Sequence, residues 1–418
     1  MDMKAIDVHQ YDVSFERQRR FLRSSTMREE NKRLIEDFIR FCQECDRVGL
    51  ARVTHYCFAL RRIAELTDKN FRDLTESDII DILSKLKEYT FKRGDGVYTY
   101  SENTMFGFKK TISKFWRWLF FDQYQGEAPP QIKRLKFKMK KGAEPVVYTR
   151  EEIRKIIDGM PSLRDKAFFA CLYDLQSREA ELLSRQIKHV RYNEDGDIEI
   201  LIEPTKTENT TPHWETLFES VSYFTTWMRL HPDPSNLDAP LWTARRYGSR
   251  NSTTTIPVSY ALARKIFITT CKKQGITKPK RMHMFRKSKA THDMTDGVPI
   301  PYIESRGSWS KGSKALQECY LSISNQDKNK VYREKYNLAP NVKVEKTEMS
   351  RCHRCQFLIE AGAKFCARCG FPTDLKTAIE AKKIEKQATA LIDEKMLSGL
   401  IKKYVIQELK GRDLQRDV

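Results

Sequence analysis

The chain has 418 residues, long enough for more than one hydrophobic core. Lysine and arginine outnumber aspartate and glutamate by 76 to 56, a formal charge of +20, which points to a polyanionic partner, either nucleic acid or an anionic membrane surface. No apolar run approaches the roughly 20 residues of a membrane helix, the opening MDMKAIDVHQYDVSFERQRR lacks the apolar stretch of a signal peptide, and ten cysteines in so long a chain do not have the density of a secreted disulfide framework; together these predict a cytoplasmic protein with no membrane partner and mostly reduced thiols.

Residues 1–25 read as an N-terminal arm. Thr26 followed by Glu29 has the pattern of a capping box, after which Leu34, Ile35, Phe38 and Cys42 recur at helical spacing. Val53, Cys57, Leu60 and Ala64 mark a second helix, Thr75 with Asp78 opens a third, and Phe108, Ile112, Phe115 and Leu119 share a face of a fourth. Residues 26–125 are therefore expected to form a four-helix domain, with Lys109 and Lys110 on its last helix as candidate phosphate contacts. Cys42 and Cys45 stand as C-x2-C on an amphipathic helix with no second pair nearby, which reads as core packing.

Gly126, Pro129, Pro130, Gly142 and Pro145 then interrupt any helix, and Lys133, Arg134, Lys136, Lys138, Lys140 and Lys141 crowd between them. Residues 126–148 read as a basic linker able to touch phosphates, with a solvated loop as the plain alternative. A new capping box, Thr149 with Glu152, opens a mostly helical domain over 149–340. Within it Asp195-Gly196 is a hairpin turn signal, and Ile198, Ile200 and Ile202 alternate as in a half-buried strand. A third strand near His213 to Leu217 would leave Lys206 at a hairpin tip. The fold class expected is mainly α with a small antiparallel β-sheet (α+β).

In the tail, residues 345–374, Cys352, Cys355, Cys366 and Cys369 form C-x2-C, ten residues, then C-x2-C. Paired knuckles at that spacing supply four thiolates to one structural Zn(II), and so short a segment needs the metal for its stability. Four thiolates leave no open coordination position, so this zinc would not be catalytic. A redox dithiol needs only one such pair. Residues 375–418 read as a final amphipathic helix, docked on its own chain or on a neighbouring copy.

The stretch RMHMFRKSKATH places His283 and Arg286 three residues apart, hence on one face of a helix. Alone this pair is weak. Three other segments add to it: LYDLQSREAELL, with Arg178 three residues before Glu181; EPTKTEN, with Lys206; and SRGSWSKGSKALQECY, with Trp309 and Tyr320.

In this order the segments resemble the tyrosine recombinase and integrase family of DNA strand-exchange enzymes, over nearly the whole chain. LQSREAEL resembles the family's GLRxxEL, HMFRK its HxLRH and GSW its GH or GW, a lysine sits on a β-hairpin, and a tyrosine follows about a dozen residues on. The wording GSW…GSK…Y and the trailing cysteines look most like archaeal-type integrases. The resemblance implies a helical core-binding domain, a tyrosine-recombinase catalytic domain and a zinc ribbon, acting on double-stranded DNA as a tetramer. It implies Tyr320 as the nucleophile, Arg178 and Arg286 as holders of the scissile phosphate, Lys206 acting on the leaving group, His283 and Trp309 completing the pocket, and Glu181 supporting Arg178. Gln176 and Ser177 replace the family's glycine-containing turn, and Lys287 stands where a second histidine is common. Tyr302, Tyr332 and Tyr336 are rival nucleophiles on paper.

The residue types suit the chemistry. Two guanidiniums can meet the nonbridging oxygens of a phosphodiester bidentately while charge builds on them. Trp309 donates one N–H without losing a proton. A phenol needs an acceptor for its proton, and histidine titrates nearest neutrality. A covalent 3′-phosphotyrosine would conserve the bond energy, so neither ATP nor a catalytic metal is expected. A type IB topoisomerase would use similar residues, and a zinc-containing DNA-binding protein without catalysis is the alternative of another class.

Overall fold

A computed structural model describes residues 6–137, 146–203, 211–244 and 256–320, and further on 329, 332–333, 336, 350–352, 354, 357–359, 363–373 and 377–384. Two units are distinct, residues 9–143 and residues 1–8 together with 144–418.

The first unit contains α1 (Tyr11–Arg23), α2 (Glu29–Glu44), α3 (Leu50–Ala64), α4 (Glu76–Glu88), the hairpin β1 (Thr90–Arg93) and β2 (Gly96–Thr99), α5 (Glu102–Leu119) and the single turn α6 (Phe121–Tyr124). The apolar faces predicted for α2, α3 and α5 are buried in one core, where Phe38, Phe71, Phe115 and Trp116 pack edge to face. The Thr75–Asp78 capping box is present at the start of α4.

Three local features differ from expectation. Residues 11–23, assigned to an arm, form α1, which buries Phe15 and Leu22 and packs on α3; Val13 and Phe21 stay exposed, so only two buried positions in a charged segment mark this face. The Thr26–Glu29 box does not form, since α2 starts at Glu29 with Arg28 as its uncapped N-terminal neighbour. Instead the buried Asn31 side chain accepts from Phe71 N–H at 2.8 Å and donates to the Lys69 carbonyl at 3.0 Å, tying α2 to the segment before α4. The hairpin β1–β2 was not expected either; Phe91 faces Tyr98 across it, and Tyr89 stacks on Tyr100 at its base.

The start of the basic linker is part of this unit. Ile132 is buried in its core with Leu135 packed alongside, and Arg134 forms a two-pronged ion pair with Glu76 at 2.7 and 2.6 Å. Lys133 and Lys136 are exposed, as is Lys110, whose ammonium lies 4.7 Å from the Phe106 ring centroid, while Lys109 is half-buried. Lys138, Lys140 and Lys141 lie outside the described residues.

The second unit runs through α7 (Arg150–Asp158), α8 (Leu163–Asp174), α9 (Glu179–Leu183), β3 (Val190–Tyr192), β4 (Ile198–Ile202), β5 (His213–Thr216), α10 (Val221–Arg229), the short pair β6 (Thr243–Ala244) and β7 (Ile256–Pro257), α11 (Tyr260–Lys273), α12 (Met284–Thr295), α13 (Ile300–Arg306), a π-helical turn at Leu316–Tyr320, and the short pair β8 (Ser350–Arg351) and β9 (Leu358–Ile359). The capping box of Thr149 with Glu152 opens α7. The sheet has the order β3-β4-β5, antiparallel throughout, with Ile198, Ile200 and Ile202 buried in register with the core.

Helix α8 is buried almost all round, and its last residue ties the unit together. The Asp174 carboxylate accepts from Phe218 N–H, Ser220 N–H and the Ser220 hydroxyl, and pairs with Arg306 of α13 at 3.0 Å. Near the end of the chain Cys352, Phe357, Ile359 and Cys366 join the core of this same unit, while Arg351 pairs with Asp197 beside the β3–β4 turn at 3.2 Å. Of the predicted final helix, residues 377–384 are described and helical.

Candidate active site

Four sequence elements of the second unit deliver the predicted side chains. Arg178 immediately precedes α9, His283 precedes α12, Arg286 lies in the first turn of α12, Trp309 lies in the loop after α13, and Tyr320 ends the π-helical turn.

The Tyr320 hydroxyl is 2.8 Å from His283 Nε2, and the two rings meet edge to face. Trp309 also packs edge to face with the phenol ring, with centroids 5.1 Å apart. Thr291 of α12 donates to the Tyr320 carbonyl at 3.2 Å and fixes the backbone there. Lys287, at the position where a second histidine is common in the family the segments resemble, sets its ammonium 5.3 Å from the Tyr320 ring centroid, a cation–π contact. The phenol is thus gripped on several sides with its oxygen toward an imidazole nitrogen.

Arg286 is only 1% exposed. Its guanidinium lies flat over Trp309, 3.8 Å from the ring centroid, and Nη1 donates to the Gln176 carbonyl at 2.5 Å. Nε and Nη2 have no hydrogen-bond partner among the described residues. Burial, and then the neighbouring charge of Arg178, push this guanidinium down to about 10, against the pull of Tyr320 and Glu181. Two arginines this close, one with unused donors in a buried setting, form a site for an anion.

Arg178 is positioned by the carboxylate of the fully buried Glu181, which accepts from its Nη1 at 2.6 Å and from its backbone N–H at 3.1 Å. Glu181 thereby also closes the first turn of α9.

The turn before Arg178 explains the departure from the family's glycine. Gln176 adopts a left-handed backbone, φ 51, which glycine takes without strain. Its side chain donates to the Asp293 carboxylate on α12, and that contact holds the conformation that aims its carbonyl at Arg286. Ser308, in the GSW stretch, is likewise left-handed at φ 53. Gly307 is required there for space, because a Cβ would lie 1.8 Å from the Trp309 ring.

Lys206 falls between β4 and β5 in sequence but outside the described residues. Of the rival tyrosines, Tyr302, Tyr332 and Tyr336 are exposed, whereas Tyr320 is half-buried within the cluster.

The sequence reading missed Glu179. Its carboxylate Oε2 is 3.6 Å from His283 Nδ1, on the side of the imidazole away from Tyr320. Glu179 is 8% exposed; burial raises its pKa, but the contact with His283 and the charge of Arg286 outweigh that and hold it below the usual carboxylate value. The signal in the sequence was a second acid directly after Arg178, indistinguishable there from a solvated helix start.

Among the tail cysteines, Cys352, Cys366 and Cys369 have their sulfurs mutually within 4.8 Å, and Cys352 and Cys369 are 3.6 Å apart. Thiolates at about 2.3 Å around a tetrahedral zinc lie about 3.8 Å from one another, so the three fit that ion. Gly370, at φ 70, turns the chain after Cys369, and its N–H donates to the Cys366 carbonyl at 2.8 Å. Cys355 lies outside the described residues.

Residues 147–326 match the Phage integrase family. Among solved structures, the chain is similar to a lambda integrase dimer bound to a COC' core site, at 12% identity over 68% of this chain and 75% of that one, with a TM-score of 0.52. It is also similar to the XerH site-specific recombinase bound to palindromic difH substrate in a post-cleavage complex, at 14% identity over 80% of this chain and 98% of that one, with a TM-score of 0.50. No curated protein sequence matches the chain. The match to the Phage integrase family thus covers the part of the chain that carries Arg178, His283, Arg286, Trp309 and Tyr320.

Proposed function

We propose that the protein is a site-specific DNA recombinase or integrase that cleaves and rejoins strands through a 3′-phosphotyrosine. The observation that carries this reading is the Tyr320 hydroxyl, 2.8 Å from His283 Nε2 and beside the buried Arg286, whose Nε and Nη2 are unpartnered among the described residues.

In the proposed step a DNA phosphate sits against Arg178 and Arg286, and Trp309 shapes the pocket. The Tyr320 oxygen attacks phosphorus as its proton passes to His283 Nε2. The P–O5′ bond breaks, and Lys206, the role implied by the family resemblance, gives a proton to the departing 5′ oxygen. Attack by a 5′ hydroxyl reverses the sequence and releases Tyr320. The arginines act mainly on the transition state, where phosphate charge is greatest. Exchange between two duplexes requires one nucleophile for each strand cut, hence assembly as a homo-oligomer, a tetramer, on double-stranded DNA. Lys109, Lys110, Lys133 and Lys136, with Lys138, Lys140 and Lys141 beyond the described residues, are proposed as phosphate contacts; Arg134, already paired with Glu76, is the weakest of the set. The tail cysteines are proposed to hold a structural Zn(II), which cross-links the ribbon and supplies no chemistry to the strand-transfer step.

The test is incubation of the full chain with nicked duplexes carrying a randomised core, scoring DNA adducts that survive denaturation. Wild type should form adducts and Tyr320→Phe none. Adducts in both proteins would refute the assignment of Tyr320.

A further inference from the structure

We infer that Glu179 is a positioning residue for His283, so that carboxylate, imidazole and phenol form a relay of Glu179, His283 and Tyr320. The inference rests on the strand-transfer reading and adds to it a residue at which neither the motifs nor the predicted site pointed.

The geometry is one-directional. His283 Nε2 faces the Tyr320 hydroxyl at 2.8 Å, and Nδ1 faces Glu179 Oε2 at 3.6 Å. To accept the phenol's proton Nε2 must carry a lone pair, so in the neutral ring the hydrogen belongs on Nδ1. An ionised carboxylate on that side selects this tautomer and stabilises the imidazolium once the proton has moved. At 3.6 Å the contact is longer than a hydrogen bond. A closure of well under 1 Å would make it one, and such contacts commonly tighten when a substrate is bound.

Glu179 is fitted to this place. It occupies the first position of α9, directly after Arg178, and is buried beside His283. Two acids flank the site with separate duties. Residues two apart on a helix do not share a face, so Glu181 turns back to Arg178 while Glu179 reaches His283. The charged or titratable groups facing this pair are Arg286, whose charge acts on Glu179, and Tyr320, with Lys287 over the phenol ring.

The first arm of the test needs no DNA and no activity. Full-length Tyr320→Phe protein, labelled with 15N-histidine, reports the His283 tautomer by two-bond 1H–15N correlation, with His283→Gln assigning the signal. Removing the phenol leaves Glu179 as the predicted source of the preference. The Nδ1–H form should predominate, and should give way to Nε2–H when Glu179→Leu is added, a swap of similar size at a buried position. An unchanged tautomer would overturn the proposal, and so would a starting population already in the Nε2–H form. Glu179→Asp, which keeps the carboxylate, should keep the Nδ1–H form and guards against a merely misfolded leucine variant.

The second arm is single-turnover adduct formation on the randomised duplexes with Tyr320 intact. Glu179→Leu should lower the rate by at least about tenfold, with partial recovery in Glu179→Asp. A tautomer shift with an unchanged rate would overturn the positioning role. If wild type itself forms no adduct, the strand-transfer reading fails, while the tautomer arm still decides whether Glu179 orients His283.

Discussion

Arg286 carries most of the site's unsatisfied chemistry. A guanidinium 1% exposed, with a carbonyl on Nη1 and an indole face above it, is held rigidly with donors to spare. Lysine in its place would keep the charge but lose the planar fork and the stacking on Trp309. Arg286→Lys should therefore lower adduct formation by about 100-fold or more while thermal unfolding stays near wild type, and a rate within a few-fold of wild type would show that Arg286 does not hold the phosphate. His292, on the same helix, has a different consequence. Burial first, then Arg150 and Lys289, lower it to about 4, and its Nδ1 lies 2.6 Å from the Tyr173 hydroxyl. Its folded pKa lies below the unfolded value near 6.5, so the unfolded chain binds the proton more readily, and stability falls as pH drops from about 6.5 to about 4. The loss should be on the order of 3 kcal/mol, and denaturant titrations across that window should show a clearly shallower slope in His292→Asn. Arg178, His283, Arg286, Trp309 and Tyr320 were legible from sequence because each sits in a spaced motif. Glu179 was not, because its partner is more than a hundred residues away and only the fold brings α9 beside α12.

At the scale of elements, the loop from α13 to Tyr320 is specified by a few named contacts. Glu304, 5% exposed, receives Gly312 N–H and Ser313 N–H on its carboxylate and Trp309 N–H on its carbonyl, so one residue closes the loop that bears the indole. Gly307 leaves room for the ring. Gly307→Ala would drive a methyl into Trp309 and should cost about 1–3 kcal/mol in chemical denaturation, with adduct formation falling with it because the indole supports Arg286. Wild-type stability in that variant would contradict the packing described. The capping boxes at Thr75 and Thr149 and the alternating isoleucines of β4 were readable because local chemistry and tertiary packing agree there. The box at Thr26 does not form, and the first turn of α2 is instead tied by the Asn31 side chain to residues about forty positions away, contacts that no local pattern shows. The hairpin β1–β2 was overlooked because its aromatics alternate over only four residues a strand, and α1 because its apolar face is two residues deep.

Across the whole molecule, the described part of the cysteine-rich tail is built into the same unit as the candidate active site. Cys352, Phe357, Ile359 and Cys366 share its core, and Arg351 anchors them beside the β3–β4 turn. A metal that holds these cysteines therefore also stabilises that face of the unit. The purified protein should contain one zinc per chain by elemental analysis, and Cys366→Ser should lose the metal and lower the melting temperature; a full-strength, metal-free wild type would refute the zinc assignment. The sequence spacing announced this cluster, yet not that it would dock on the second unit, since the contact lies between segments far apart in the chain. The central claim concerns one oxygen atom. Mass spectrometry of the protease-digested DNA adduct identifies the linked residue directly: the account predicts the peptide containing Tyr320 carrying a 3′-phosphoryl nucleotide, and attachment at Tyr302, Tyr332 or Tyr336 would contradict it.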